Sequence, residues 1–210
     1  MMKVRDKLPV RRSNPSKNPS GHNWSAHKSD LKQDFHEHCA YCGSYDGFRH
    51  TYFEVDHFIP KELCERTGEI DLCQYDNLVY SCKFCNNNKL NKWPSNNTAI
   101  SHVNNEGFVD PCSNDFDLHL YRTRNGSIRW HTQLGTWMVE VGFKFDQRDY
   151  AIRLLWELEK LKTAIDRLIT LSRKYSETSD EHKDIMANAG KYALAYFSCH
   201  NELMDYYNSI

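Results

Sequence analysis

The nine residues VDHFIPKEL, 55–63, set a carboxylate beside an imidazole in a run that otherwise reads as a β-strand. Val55, Phe58 and Ile59 favour extended backbone, and Pro60 ends the run. On a regular strand adjacent side chains face opposite ways, so Asp56 and His57 can serve one site only where the strand bends or stops. The pair is either a satisfied buried contact or part of a reactive centre. Its surroundings decide, because a C-x-x-C pair lies on each side of it, Cys39/Cys42 and Cys82/Cys85.

Four thiolates hold one zinc ion tetrahedrally, and C-x-x-C suits this because a tight turn aims both sulfurs the same way. Cys42 and Cys82 are separated by 39 residues, so one ion would clamp the two ends of the strand region together. With four protein ligands no position remains for water or substrate, so the role expected of this zinc is structural. His36 and His38, beside Cys39, are alternative ligands. The other four of the eight cysteines, Cys64, Cys73, Cys112 and Cys199, are scattered and read as small buried hydrophobes. No run of about 18 apolar residues marks a membrane span. The first thirty residues lack the apolar core of a signal peptide, so a cytoplasmic location is expected, with metal binding favoured over disulfides.

With 210 residues, 40% hydrophobic and 13% aromatic, the chain can form one substantial core or two modest domains. A net charge of −1 excludes a uniformly basic nucleic-acid binder but not a local positive face. Residues 1–30 carry seven Lys/Arg against Asp6 and Asp30, and residues 77–105 carry Lys83, Lys89 and Lys92 with no acid. Residues 1–28, rich in Pro, Ser and Asn, read as a flexible basic arm.

Residues 29–95 read as a compact finger: a short helix capped by Ser29 or Asp30, a strand in HTYFEVDHFIP (50–60), a second strand in NLVYSC (77–82), and a helix from Lys83 that ends before Pro94. Residues 96–145 form a β-rich extension. Within it LHLYRTRNGSIRWHT (118–132) signals a hairpin turning at Asn125-Gly126, and GTWMVEVGFKF (135–145) is a further strand candidate. From Asp146 to 210 the period changes. Ala151, Leu154, Leu158, Leu161, Ile165 and Leu168 form one helical stripe, and Ile185, Ala189, Tyr192, Tyr196, Cys199 and Leu203 form a second. The expected fold class is α+β: a zinc-stabilised finger, a β-hairpin region and a C-terminal antiparallel helical hairpin.

The ordered set CAYCG, VDHFIPK and YDNLVYSCKFCNNNK resembles the HNH endonuclease family, whose site is a ββα-metal finger; the likeness covers about residues 39–93. YDNLVYSCKFCNNNKLNKWP and FVDPC (108–112) also look like stand-alone bacterial members. The resemblance implies that His57 is the general base, Asp56 a ligand of the catalytic divalent ion, Asn77 the brace of the loop holding the base, and Asn86 the second metal ligand. Asn86 stands where the family often has its last His, a departure that turns the expected preference toward Mg²⁺ or Mn²⁺. Asn87 and Asn88 are alternates if the helix register differs. Lys89, with Lys83 and Lys92, is placed to hold phosphate oxygens. The implied partner is DNA, cut to 5′-phosphate and 3′-hydroxyl ends. Restriction or anti-phage defence is the implied setting, with a protein partner or a homodimer alongside.

The chemistry of these residue types agrees. A phosphodiester hydrolase needs an activated water, and an imidazole with pKa near 6.5 is mostly neutral at cellular pH and accepts a proton. A non-catalytic zinc module that binds nucleic acid would keep the cysteines and basic residues without needing Asp56-His57. A nucleobase deaminase would need H-x-E and P-C-x-x-C; neither C-x-x-C follows a proline. A thiol oxidoreductase would need one C-x-x-C beside a βαβ pattern, which is missing.

Overall fold

A computed structural model of the chain describes residues 2–209. In chain order the elements are α1 (Lys28–Asp34), β1 (Phe53–His57), α2 (Lys61–Thr67), β2 (Leu78–Cys82), α3 (Lys83–Lys89), β3 (His102–Val103), β4 (Glu106–Gly107), α4 (Phe116–His119), β5 (Leu120–Arg122), β6 (Ile128–Trp130), α5 (Gln133–Trp137), a π-turn (Met138–Gly142), α6 (Asp149–Ser172) and α7 (Asp180–Asn208). The strands form three antiparallel pairs, β1–β2, β3–β4 and β5–β6. This is a mixed fold of helices and small strand pairs. It divides into two units, one up to Asp149 and one from Tyr150.

In the first unit β1 lies on β2 with Phe53 opposite Cys82 and His57 opposite Leu78. The chain passes directly from β2 into α3, which completes a β–β–α finger. A two-stranded sheet is marginal alone, and residues 108–145 supply the missing core. Phe108, Phe116, Phe143 and Phe145 are fully buried with Tyr41 and Tyr80. The Tyr41 and Phe143 rings lie 4.5 Å apart, and Phe108 is 5.0 Å from Phe143. Burial of each such side chain contributes about 1.5–3 kcal/mol. A boundary near residue 95 is therefore not present: finger and extension form one unit.

Several expectations need correcting. Residues 133–142 are helical rather than a strand, because Leu134, Met138 and Val139 line one buried helical face. The β5–β6 connection is not a two-residue turn. Thr123 N–H bonds Ser127 O at 2.9 Å, enclosing three residues, with Gly126 at φ +90°. Helix α3 stops at Lys89, since Leu90 has φ +45°, well before Pro94. His27, not Ser29 or Asp30, precedes α1.

The segment read as a flexible basic arm is laid across the finger. Arg11 donates from Nε to Leu78 O (2.7 Å) and pairs with Asp110 (2.9 Å). Arg12 bonds Asp34 (2.7 Å) and Asp30 (3.1 Å), and Asp30 also receives the Ser16 N–H at 2.6 Å. Buried Arg5 reaches Ala40 O at 3.2 Å. These three guanidiniums face carboxylates and carbonyls of the finger, so the arginines are structural ties and not phosphate contacts.

The four C-x-x-C cysteines meet. Cys39, Cys42, Cys82 and Cys85 are buried, with all four sulfurs within 4.8 Å of one another and Cys42 Sγ 3.9 Å from Cys82 Sγ. A tetrahedral zinc site with bonds of about 2.3 Å has sulfur–sulfur edges of about 3.8 Å, so these thiols could hold a metal ion such as zinc. The Cys82 N–H points at Cys39 Sγ (3.4 Å), an interaction suited to a thiolate. Arg122 from β5 supports the knuckle from behind, donating to Cys42 O at 2.7 Å. Gly43 closes it at φ +69°, where an added Cβ would lie 2.7 Å from Val4 O; no other residue fits that turn without moving the arm. Neither His36 nor His38 joins the cluster. Cys64, Cys73 and Cys199 are buried away from it, and Cys112 is half-buried.

In the second unit α6 and α7 run antiparallel. The Cys199 thiol points at Leu154 O (3.6 Å), and the Tyr150 and Tyr206 rings lie 5.7 Å apart. At the other end His182 Nδ1 meets Ser172 O at 3.2 Å. Ser179 caps α7, accepting the His182 N–H at 3.1 Å. The expected stripe is buried at Ala189, Cys199 and Leu203, but Tyr192 is 45% exposed.

The apparent zinc-binding energy of small fingers, about 10–16 kcal/mol, matches or exceeds the whole stability of an ordinary domain. Elemental analysis of the purified chain should therefore find one zinc per chain. Cys82→Ser should lose it together with the near-UV signal of Tyr41 and Tyr80. Cys112→Ser should keep both. A Cys82→Ser protein as stable as the parent would contradict the clamp.

Candidate active site

The end of β1 borders an open groove of about 650 Å³, lined by Trp24, Glu54, Asp56, His57, Glu62 and Asn86, among others. Strand alternation puts Glu54 and Asp56 on one face and His57 on the other. The strand stops at His57, and this lets both neighbours reach the groove. The stop is enforced by Asn77. Its Oδ1 accepts the Ile59 N–H at 2.8 Å, its Nδ2 donates to Ile59 O at 3.1 Å, and its backbone carbonyl accepts the Phe58 N–H at 2.8 Å. A buried side-chain amide thus holds the two residues after His57 in a fixed bend.

The His57 ring makes one hydrogen bond among the described residues, from Nε2 to Leu72 O at 2.8 Å. A carbonyl only accepts, so Nε2 carries the proton and Nδ1 is the free acceptor. Burial holds the imidazole pKa below the usual 6.5, against the opposing pull of the Leu72 bond and Asp56. The ring is therefore neutral near pH 7. Trp24 packs edge-on against it, centroids 5.0 Å apart at 71°, and Lys61 lies 5.5 Å over the Trp24 ring. His27 Nε2 meets the next carbonyl, Cys73 O, at 3.1 Å. The N-terminal segment is thereby built into the wall around His57, and nothing in its composition announced this.

Asp56 is tied from the inside. Tyr41 Oη donates to its Oδ2 at 2.6 Å, and Lys89 Nζ lies 3.4 Å from the same oxygen and 3.5 Å from Oδ1. Lys89 is fully buried and also donates to His57 O at 2.6 Å. Burial lowers its pKa and Asp56 opposes the shift. Burial and Asp56 together push the Tyr41 hydroxyl well up, so it stays a donor. The expectation that Lys89 holds a phosphate is therefore wrong: its charge faces inward and fixes the Asp56-His57 pair. Lys92 is also occupied, donating to Val141 O at 2.9 Å beyond the end of α3. Lys83 is exposed at the start of α3.

Asn86 donates through Nδ2 to Glu54 Oε2 at 2.9 Å, which turns its amide oxygen away from Glu54. Asn88 bonds its own helix at Phe84 O (2.8 Å) and Asn87 is exposed, so Asn86 is the α3 amide that lines the groove. Glu54, two residues before Asp56, was missed by sequence reasoning; the period of two along β1 could have found it. Glu54, Asp56 and Asn86 together offer hard oxygen donors, a set that suits Mg²⁺ or Mn²⁺. Among the described residues, the only group of three or more His, Cys, Asp or Glu arranged for a metal is the cysteine cluster.

Lys89→Met leaves the Asp56 carboxylate buried without its counter-charge and should cost about 3–5 kcal/mol in urea unfolding; an unchanged midpoint would contradict the inward role. In NMR titration the His57 ring should titrate below 6.5 as the Nε2–H tautomer. Trp24→Ala should raise the midpoint toward 6.5 by admitting water. A midpoint at or above 6.5 in the parent protein would contradict the burial argument.

Comparison with curated proteins and with solved structures found no match. The family model described as HNH endonuclease matches residues 39–92, from the first cysteine of the knot to just past α3. The cysteine knot, Asp56-His57, Asn77 and Asn86 all lie inside the matched segment, so the part of the chain that builds this site is similar to an HNH endonuclease domain.

Proposed function

We propose that the protein is a divalent-metal-dependent endonuclease that hydrolyses DNA phosphodiester bonds. The observation that carries this reading is the state of His57: Nε2 is committed to Leu72 O, and Nδ1 is an unprotonated acceptor in a groove lined by oxygen donors. His57 takes a proton from the attacking water. Lys89 holds the carbonyl of His57 itself and Asn77 holds the backbone of Phe58 and Ile59 just after it, which keeps the ring in register with the groove. Tyr41 and Lys89 hold the Asp56 carboxylate in a fixed orientation. A divalent ion held by Asp56 and Asn86, with Glu54 beside them, would supply charge relief on the phosphoryl oxygens and on the leaving 3′ oxygen. The products are a 5′-phosphate and a 3′-hydroxyl. A structural zinc in the cysteine knot completes the cofactor set. One groove per chain cuts one strand at a time, so a linear product requires a second copy or a second visit. Restriction or anti-phage defence is the setting that the family resemblance suggests.

A non-catalytic zinc module would need the knot but has no use for a neutral imidazole braced on three sides. Supercoiled plasmid separates the two. The parent protein should nick or linearise it with Mg²⁺ or Mn²⁺, and the zinc-loaded His57→Ala protein should lose about 10²–10⁴-fold in rate. Asp56→Asn should lose the metal-dependent rate as well. Cleavage by His57→Ala at the parental rate would sink the assignment of the base. A parent that leaves plasmid intact in both metals would sink the nuclease reading.

A further inference from the structure

The arm's arginines are used internally and Lys3 pairs with Asp117 (3.2 Å), but Lys17 and Lys28 are not engaged in this way. Lys17 and Lys28 converge with Lys32 and Arg49 on a second cleft of about 810 Å³, which the residues just before β1 also line. Asp46 is the one carboxylate lining it, and that group already pairs with Lys32 (2.9 Å) and accepts the Tyr80 hydroxyl (2.7 Å). Lys17, Lys28 and Arg49 make no ion pair among the described residues, so the cleft has an excess of positive charge in a chain whose net charge is −1. Arg49 sits at φ +51°, where glycine or asparagine is easier, so the backbone does not explain the arginine.

Tyr52 stands in the same cleft and is 79% exposed. Its carbonyl accepts the Lys83 N–H at 2.8 Å, which ties the residue to the start of α3 while the ring stays in solvent. Ser25 lines both clefts, so they are neighbours. Their balances are opposite: one holds Glu54, Asp56 and Glu62 against Lys61, the other Lys17, Lys28, Lys32 and Arg49 against Asp46. From Tyr52 to His57 is about 17 Å along the strand at ~3.3 Å per residue, or about five nucleotide steps at 3.4 Å.

We propose that this second cleft binds an unpaired strand of nucleic acid beside the scissile phosphate, with Lys17, Lys28 and Arg49 on the backbone and Tyr52 stacking on a base. The proposal rests on the nuclease reading above. Exposed cations follow a phosphate backbone without regard to sequence, and a free aromatic face takes any base that is not already stacked in a duplex. The cleft therefore selects for substrates with a single-stranded flank, such as a tail, gap or fork.

The test is fluorescence anisotropy of the zinc-loaded full chain, in a His57→Ala background so that probes survive. One probe is a blunt duplex, the other the same duplex with a single-stranded tail. Lys28→Glu/Arg49→Glu should weaken the tailed probe at least about tenfold and reduce its salt slope by about 1.4, at ~0.7 per phosphate. Tyr52→Ala should weaken the tailed probe about tenfold and move the blunt one less than about twofold, with Tyr52→Phe restoring the loss. Equal losses on both probes would overturn the unpaired-strand assignment. No loss on either would overturn the cleft as a nucleic-acid site. If the unsubstituted protein cuts plasmid while the cleft variants bind like the parent, only this proposal fails. If it neither binds probes nor cuts plasmid, the nuclease reading fails and takes this one with it.

Discussion

Four buried sulfurs hold the finger closed, and the rest of the site depends on that closure. They join the knuckle at 39–42 to the junction of β2 and α3. The elements they connect are small: two five-residue strands and a seven-residue helix. Helices of this length do not persist alone in water, and two strands make a marginal sheet. A metal ion held by these thiols would supply the order that local propensity lacks. Arg122 on Cys42 O and Gly43 against Val4 O then couple the knot to β5 and to the N-terminal segment.

A second set of buried polar contacts converts this scaffold into a site. Lys89 reaches from the end of α3 to His57 O and Asp56, and Tyr41 reaches Asp56 from the knuckle between Cys39 and Cys42. Asn77 bends the chain just after His57. Each group is buried and would be costly to leave unpaired, so together they admit one arrangement of the Asp56-His57 pair. The difficulty that neighbours on a strand face opposite ways is resolved by ending the strand at His57. Shape and protonation state are set together: the Leu72 carbonyl that fixes the ring also fixes its tautomer.

Much of this was legible in the residues. The paired C-x-x-C spacing, the aromatic and β-branched run ended by Pro60, and the two helical stripes after Asp146 each carry their own physical signal. What was not legible is mostly the direction of charged side chains. Lys89 and the arm's arginines look like phosphate ligands in a string of letters, because sequence does not tell an inward from an outward cation. The carboxylates that capture Arg11 and Arg12, namely Asp30, Asp34 and Asp110, lie 18 to 99 residues away in the chain. Residues 133–142 carry Val and Met at spacings that fit either a strand or a helix, and burial against Phe108 and Phe143 decided it. Glu54 shares the Asp56 face through the strand period of two, but its partner Asn86 lies 32 residues on, which the local pattern does not reveal.

The clamp is tested most directly by zinc K-edge X-ray absorption on the purified chain. Four sulfur neighbours at about 2.3 Å, with no nitrogen or oxygen in the first coordination sphere, is the result expected if Cys39, Cys42, Cys82 and Cys85 share one ion. Fewer than four sulfurs, a histidine nitrogen, or no bound zinc would contradict it.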